Sequence, residues 1–150
     1  MQLARADFAL VLRHAPLVSI DLVVRDERDR VLLGLRVNRP ARGAWFVPGG
    51  RIYKNERLDA AFSRITAAEL GLALERRLAP LLGVYEHFYD DNALDEPGVD
   101  THYVVIAHVL RVASAQLALP DKQHSQYRWA EVPALLADTT VHENTRAYFR

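Results

Sequence analysis

Glu69 is an acidic residue whose position on the apolar face of a predicted helix makes it a candidate functional residue. The apolar residues between 56 and 70 repeat with the period of a helix. Four of them, with Leu72 just beyond, define a single stripe on one face: Leu58, Ala61, Phe62 and Ile65. Glu69 lies in the same stripe, and burying a carboxylate there costs free energy unless a partner compensates it. Three explanations remain open: a buried arginine or lysine, a shifted pKa, or a bound metal ion.

A glycine turn precedes this helix and is flanked by arginines. Gly49 and Gly50 end a predicted strand, and glycines at such a place let the backbone approach a phosphate or leave a carbonyl free for a metal. Arg36 and Arg51 lie on either side, and a planar guanidinium suits phosphate oxygens. Either arginine alone could be a solvated surface residue. Together with Glu69, the turn and the arginines predict an anionic ligand.

The composition limits the classes of partner. The 150 residues predict a single domain over 1–150, and 19 basic residues balance 19 acidic ones. A net charge of zero argues against nucleic-acid and membrane partners, so any phosphate-binding cations must be local. The chain has no cysteine, which excludes disulfides and thiolate chemistry. Neither a secretory leader nor a transmembrane run is evident, and we expect a cytoplasmic protein.

The elements that position these residues are strands, with a two-residue period of apolar residues, and helices, with a period of 3.6. Strands are predicted over 17–24, 31–35, 44–47, 78–89, 102–112 and 127–130. Helices are predicted over 6–14, 56–70, 132–136 and 143–149. Loops are predicted over 38–43, 90–101 and 119–124. This order favours an α+β domain with a mixed sheet between helices.

The segment that carries the turn and the helix resembles the Nudix box, G-x5-E-x7-R-E-U-x-E-E-x-G-U, in which U is aliphatic. The matching positions are Gly50, Glu56, Arg64, Glu69, Gly71 and Leu72. Three positions differ, because Ile65, Thr66 and Ala68 replace a glutamate, an aliphatic residue and a second glutamate. The resemblance implies the Nudix fold.

Those differences change the expected chemistry. Ordinary Nudix enzymes gather several carboxylates around two or three metal ions and attack phosphorus. A single carboxylate with neutral oxygens instead suits one Mg²⁺, which prefers oxygen ligands and usually keeps waters. The altered box therefore argues against a multi-metal diphosphatase.

The altered box is similar to that of GDP-mannose mannosyl hydrolases, and the resemblance extends from about Asp7 to Phe149. Its supporting segments are Pro16–Ser19, Asn38–Pro40, Trp45–Arg51, Glu86–Asn92, Thr101–Val105, Gln123–His124 and Tyr127–Trp129. Members of this family cleave the sugar C1–oxygen bond through attack of water with inversion. The resemblance implies Mg²⁺-dependent hydrolysis of GDP-mannose or GDP-glucose to GDP and free sugar.

The resemblance also implies the ligands and the base. One Mg²⁺ per subunit, or Mn²⁺ in its place, would bind the Gly49 carbonyl, Glu69, Gln123 and the diphosphate. His124 would be the general base, and an ordinary histidine pKa of about 6.5 suits that role. A histidine in a loop could also be a plain surface residue.

The remaining roles concern the substrate and a second subunit. Arg36, Arg51 and Tyr103 would stabilise the departing diphosphate. Substrate contacts are implied for Gln2, Leu3, Phe8, Asp21, Arg36 and His87, and the first three could instead contact a partner in a homodimer. From the residues alone, Asp21 could be structural, and His87 and Tyr103 could be packing residues.

Two other functions remain open at this stage. One is a conventional Nudix diphosphatase that cleaves a nucleoside-diphosphate-X at phosphorus, against which the missing glutamates at 65 and 68 argue. The other is a non-catalytic nucleotide-binding regulator, against which Glu69, Gln123 and His124 argue. No base-reading motif is visible, so neither the sugar nor the base is decided by the sequence.

Overall fold

A mixed β-sheet forms the centre of the fold in the computed structural model, which describes residues 2–121 and 124–150. Its strands are β1 (Leu17–Arg25), β2 (Val31–Arg36), β3 (Trp45–Phe46), β4 (Gly49–Arg51), β5 (Leu81–Tyr89), β6 (Thr101–Arg111) and β7 (His124–Ala130). The helices are α1 (Arg5–His14), α2 (Leu58–Leu70), α3 (Val132–Ala137) and α4 (Glu143–Arg146). Within the described residues, no helix is long and apolar enough to cross a membrane.

The strands form one sheet with a parallel pair at its middle. The order is β3-β2-β1-β6-β5, with β4 paired to β1 and β7 paired to β2. Only β1 and β6 run parallel among these pairs, and Ile20 faces Ile106 in their register. Because β1 also pairs with β2 and β4, its residues reach both the sheet interior and the glycine turn.

Two apolar clusters occupy the two faces of the sheet. One joins Ile20 and Leu22 of β1 to Phe62 and Ile65 of α2. The other includes Val23 of β1 and Phe46 of β3, together with residues from the opposite layer: Leu135, Val141 and Tyr148. Neighbouring residues of β1 alternate between the clusters, as the two-residue period of a strand requires. The predicted α+β fold, with a mixed sheet between helices, is therefore confirmed.

Four predicted boundaries differ from the structure. Helix α2 begins at Leu58, since Tyr53 to Glu56 form a turn closed by the Glu56 N–H bonding to the Tyr53 carbonyl. Leu58 is 37% exposed in its first turn, so placing it in the buried stripe was wrong. Strand β5 begins at Leu81 because a 3-10 turn occupies Arg76–Leu78.

The last two differences concern the sheet near the glycine turn. Gly49 and Gly50 lie within a short strand, β4, where the sequence predicts only a strand end. Strand β7 begins at His124, which the sequence places in a loop, because β2 supplies a pairing partner as far as Arg36. Both strands depend on pairing with distant segments, which local periodicity does not encode.

Candidate functional site

A polar cleft of about 650 Å³ lies beside the glycine turn, next to a smaller cavity of about 400 Å³. The larger cleft is lined by these predicted site residues: Gln2, Asp21, Arg36, Gly49, Arg51, His87 and Tyr103. The smaller cavity is lined by Gln2, Leu3, Phe8, Gly49, Arg51 and Glu69. The two share Gln2, Gly49, Gly50 and Arg51, so they meet along the turn.

The backbone of Gly49 lies close to β1 and leaves no room for a side chain. A Cβ atom at this position would lie 2.5 Å from Asp21 Oδ1 and 2.6 Å from the Ile20 carbonyl oxygen. The Leu22 N–H donates to the Pro48 carbonyl, and the Ile52 N–H donates to the Val18 carbonyl. In an antiparallel ladder this alternation directs the Gly49 carbonyl away from β1. That oxygen is therefore available to a ligand.

The Glu69 carboxylate is 7% exposed and lines the smaller cavity. Burial raises its pKa to about 7, although the positive charge of Arg36 acts in the opposite direction. Among the described residues, no arginine or lysine forms a salt bridge with it, and His124 Nδ1 lies 4.0 Å from its Oε2. A shifted pKa and a metal ion thus remain as explanations of the inward glutamate.

The wall around Glu69 is otherwise apolar where ordinary Nudix boxes carry glutamates. Ile65 and Ala68 both line the smaller cavity, and Ile65 is buried against the sheet. Among the described residues, no three histidine, cysteine, aspartate or glutamate side chains cluster in a way that could hold a metal. Any ion here would have to bind one carboxylate together with neutral or substrate oxygens. The predicted ligand Gln123 lies outside the described residues.

His124 lies behind the cleft wall and lines neither cavity. Its ring is 2% exposed, and neither ring nitrogen has a hydrogen-bond partner among the described residues. The ring packs on Gly34, where a Cβ would lie 2.5 Å from His124 Cγ. Burial, with a contribution from Arg36, lowers the pKa of His124 to about 4, well below the ordinary value expected for it. The ring is therefore neutral at pH 7.

Asp21 belongs to a buried polar group on the cleft wall. The Tyr148 hydroxyl donates a 2.5 Å hydrogen bond to Asp21 Oδ2 and lies 3.3 Å from His87 Nε2. Burial raises the pKa of Asp21 to about 7, against the lowering effects of the Tyr148 hydrogen bond and of Arg36. Burial also lowers the pKa of His87 to about 4. At neutral pH the group presents a neutral imidazole and a partly protonated carboxyl group, both in contact with the Tyr148 hydroxyl.

Arginines supply the positive charge of the larger cleft. Arg36 is anchored by a 2.9 Å hydrogen bond from its Nε to the Pro40 carbonyl. Tyr103, half-buried against the cluster that contains Leu12 of α1, keeps its hydroxyl proton because desolvation raises its pKa despite Arg36 and Arg51. The site thus offers guanidinium and hydroxyl donors to an anion on the same wall.

Two positions that match the Nudix box, Glu56 and Arg64, form an ion pair that holds the neighbouring backbone in place. Arg64 donates to both carboxylate oxygens of Glu56 at 2.7 and 2.8 Å, and its Nη2 also donates to the Arg51 carbonyl at 2.8 Å. The Arg64 hydrogen bonds are the main reason that the pKa of Glu56 falls to about 2. This ion pair fixes the segment between β4 and α2, and with it the position of Arg51.

Sequence reasoning missed several residues of the cleft. Those on the cleft wall are Asn38, Arg39, Arg42, Tyr89 and Asp95. Tyr148 belongs to the buried core and does not line the cleft, but it hydrogen-bonds to Asp21. The two arginines of the 38–43 loop, Arg39 and Arg42, carried a usable signal, since they lie with Arg36 within seven residues of sequence. Tyr148 carried none, because its partner Asp21 is 127 residues away in sequence.

Comparison with known proteins agrees with this geometry. The family model described as the NUDIX domain matches residues 15–150. The low-salt glycan biosynthesis protein Agl8 of Haloferax volcanii is 44% identical over 130 residues, which cover 85% of this chain and 78% of that protein.

Solved structures show the same fold. A MutT NUDIX hydrolase from Burkholderia pseudomallei is similar with a TM-score of 0.70 and 26% identity, covering 90% of this chain and 96% of that one. A MutT protein from Methanosarcina mazei Go1 has a TM-score of 0.71 at 20% identity, covering 91% and 92%. The family model, the relative and the altered box at the cleft together establish that the chain belongs to the NUDIX family and is a Nudix hydrolase.

Proposed function

We propose that this Nudix hydrolase cleaves a GDP-sugar, GDP-mannose foremost, to GDP and free sugar in a Mg²⁺-dependent reaction. Water attacks the anomeric carbon, and the configuration inverts. The observation that carries the proposal is the wall of the smaller cavity, where Glu69 is the single carboxylate among the residues that the structure describes and Ile65 and Ala68 replace the other acidic positions. Such a wall favours one metal ion over the two or three used for attack at phosphorus.

The donor set fits one Mg²⁺, because hard oxygen atoms of low total charge surround the turn. The Glu69 carboxylate, the outward Gly49 carbonyl and the Gln123 side chain would hold the ion together with diphosphate oxygens. The bound ion would act as a Lewis acid that offsets the charge of the leaving diphosphate. Mn²⁺ has the same ligand preference and is the expected substitute.

The residues of the larger cleft account for the rest of the reaction. Arg36, Arg51 and Tyr103 donate to the diphosphate, whose charge grows as the C1–oxygen bond breaks. Asp21 and His87 hold the sugar, and Gln2, Leu3 and Phe8 border the nucleotide. His124 takes the proton of the attacking water. Its neutral state leaves a ring nitrogen able to accept a proton, although the ring lines neither cavity in this structure.

The relative from Haloferax volcanii supports a sugar-containing substrate, since that protein is named for glycan biosynthesis. A nucleotide-sugar also matches the size of a cleft of about 650 Å³ joined to a second cavity. We further propose a cytoplasmic homodimer without nucleic-acid or membrane partners.

Hydrolysis in ¹⁸O-labelled water tests the bond that breaks. GDP-, ADP- and UDP-sugars are incubated with the protein and Mg²⁺, and both products are examined by mass spectrometry. The proposal expects the label in the C1 hydroxyl of mannose or glucose and none in GDP. Label in a phosphate product would instead identify a conventional diphosphatase, and binding without turnover of any substrate would identify a regulator.

Two variants test the assigned residues. We expect Glu69→Gln and His124→Gln each to lower kcat by about a hundredfold or more, as removal of a metal ligand or a general base does. Glu75→Gln is the matched control, because its carboxylate lies on the surface beside Arg77. Full turnover in both site variants would show that the assignment is wrong.

A further inference from the structure

We propose that Tyr53 is a positioning residue that holds the guanidinium of Arg51 ready for an anionic diphosphate. Tyr53 lies just after β4, where its ring lines the smaller cavity with Arg51 and Glu69. The inference rests on the proposed function only for the nature of the ligand, a nucleoside diphosphate.

The side chains form a continuous series of ring and guanidinium contacts. The Arg51 guanidinium carbon lies 4.5 Å from the centre of the Phe8 ring and 5.6 Å from that of Tyr53. The Arg64 guanidinium carbon lies 3.9 Å from the same Tyr53 ring. Cations are attracted to the faces of aromatic rings within about 6 Å of the centroid. Tyr53 therefore contacts two guanidinium groups at once.

The two arginines differ in how their charge is compensated. Arg64 donates to Glu56 and to the Arg51 carbonyl, so its hydrogen-bonding capacity is largely used. Among the described residues, the Arg51 guanidinium contacts the rings of Phe8 and Tyr53 and forms neither a salt bridge nor a hydrogen bond. It lines both cavities where they meet at the glycine turn. Its donors are thus free for an anion, while the rings fix its position.

The backbone around Tyr53 is held as firmly as its ring. The Tyr53 N–H donates to Glu56 Oε1 at 3.0 Å, and the preceding Ile52 N–H donates to the Val18 carbonyl of β1 at 2.8 Å. A guanidinium that is already placed loses less conformational entropy when the ligand binds. Phe8 belongs to α1, which precedes the residues 15–150 matched by the NUDIX model, so one of the rings that hold Arg51 lies outside the matched residues.

Binding of GDP in the presence of Mg²⁺, measured by calorimetry, tests the proposal through a double-mutant cycle. We expect Tyr53→Leu to weaken GDP binding roughly three- to tenfold, which is the scale of one cation–ring contact. Tyr53→Phe keeps the ring and should bind GDP within about twofold of the wild type. In an Arg51→Met background, Tyr53→Leu should have no further effect, because the guanidinium through which it acts is gone.

Further readouts separate positioning from a structural role. With the GDP-sugar substrate, Tyr53→Leu should lower kcat as well as kcat/KM, because Arg51 acts on the diphosphate charge that grows as the bond breaks, whereas Tyr53→Phe should leave both close to the wild-type values. Phe8→Leu supplies a second variant if Tyr53→Leu fails to fold, and its loss of affinity should likewise vanish in the Arg51→Met background. An equal loss in both backgrounds, or an equal loss in Tyr53→Phe, overturns the proposal.

The cycle uses GDP alone and does not depend on which bond is cleaved. If ¹⁸O appears in phosphate while the coupling between Tyr53 and Arg51 persists, the proposed reaction is wrong and the positioning role stands. If the sugar is labelled and the coupling is absent, the proposed reaction stands and the positioning role of Tyr53 is wrong.

Discussion

Replacement of Asp21 by asparagine should stabilise the protein at neutral and alkaline pH. Asp21 is 7% exposed, and burial raises its pKa to about 7 in the folded protein, compared with 3.8 as its ordinary value. The folded state therefore binds the Asp21 proton more tightly than the unfolded chain does. Its contribution to stability is complete below pH 3.8 and is lost as the pH rises to about 7.

The size of the effect follows from the interval between the two pKa values. One pKa unit corresponds to about 1.4 kcal/mol, so the wild type should lose up to about 4 kcal/mol across the whole interval through Asp21 alone. Between pH 5 and pH 7 the corresponding loss is about 3 kcal/mol. Asparagine does not titrate and can still accept the Tyr148 hydrogen bond. The pH dependence that remains in the variant comes from Glu69, whose raised pKa lowers stability as the pH rises, and from His87 and His124, whose lowered pKa values raise stability between about pH 4 and 6.5.

Urea denaturation at pH 5, 6, 7 and 8 in the absence of divalent ions measures this difference. The free energy of unfolding of the wild type should fall more steeply with pH than that of Asp21→Asn, and the variant should be the more stable protein at pH 8. Hydrolysis of the GDP-sugar should fall in the same variant, because Asp21 lies on the cleft wall. Parallel stability curves for the two proteins would refute the reasoning about the buried carboxyl group.

Three further variants test other parts of the structure. Gly34→Ala places a Cβ 2.5 Å from His124 Cγ, so urea denaturation should show that the free energy of unfolding falls by about 1–3 kcal/mol. Turnover should fall as well, and unchanged turnover would show that His124 does not take part in the reaction. Asp26→Asn weakens the acceptor of the Arg28 and Arg30 N–H groups, and we expect a loss of about 1–3 kcal/mol with KM unchanged, which substrate kinetics would check. Glu56→Gln should remove stability that the wild type has above pH 4.5 and loses toward pH 2, and acid denaturation curves that coincide would contradict this.

The sequence by itself determined the fold class and the inward position of Glu69. Helical periodicity over 56–70 and strand periodicity elsewhere are local properties, and burial of α2 against β1 follows from them. The helix end at Gly71 is equally local, because a left-handed residue with φ 72° ends α2 there. The glycine turn and its flanking arginines were also visible in the sequence as the place for an anion.

Only the tertiary structure decided which side chains meet at that place. Tyr148 reaches Asp21 across 127 residues, and Phe8 reaches Arg51 from a helix outside the family domain. His124, expected in a loop at the site, lies in a strand behind Glu69. These placements depend on long-range pairing and packing, whose free energies arise only once distant segments are brought together, and a local pattern carries no record of them.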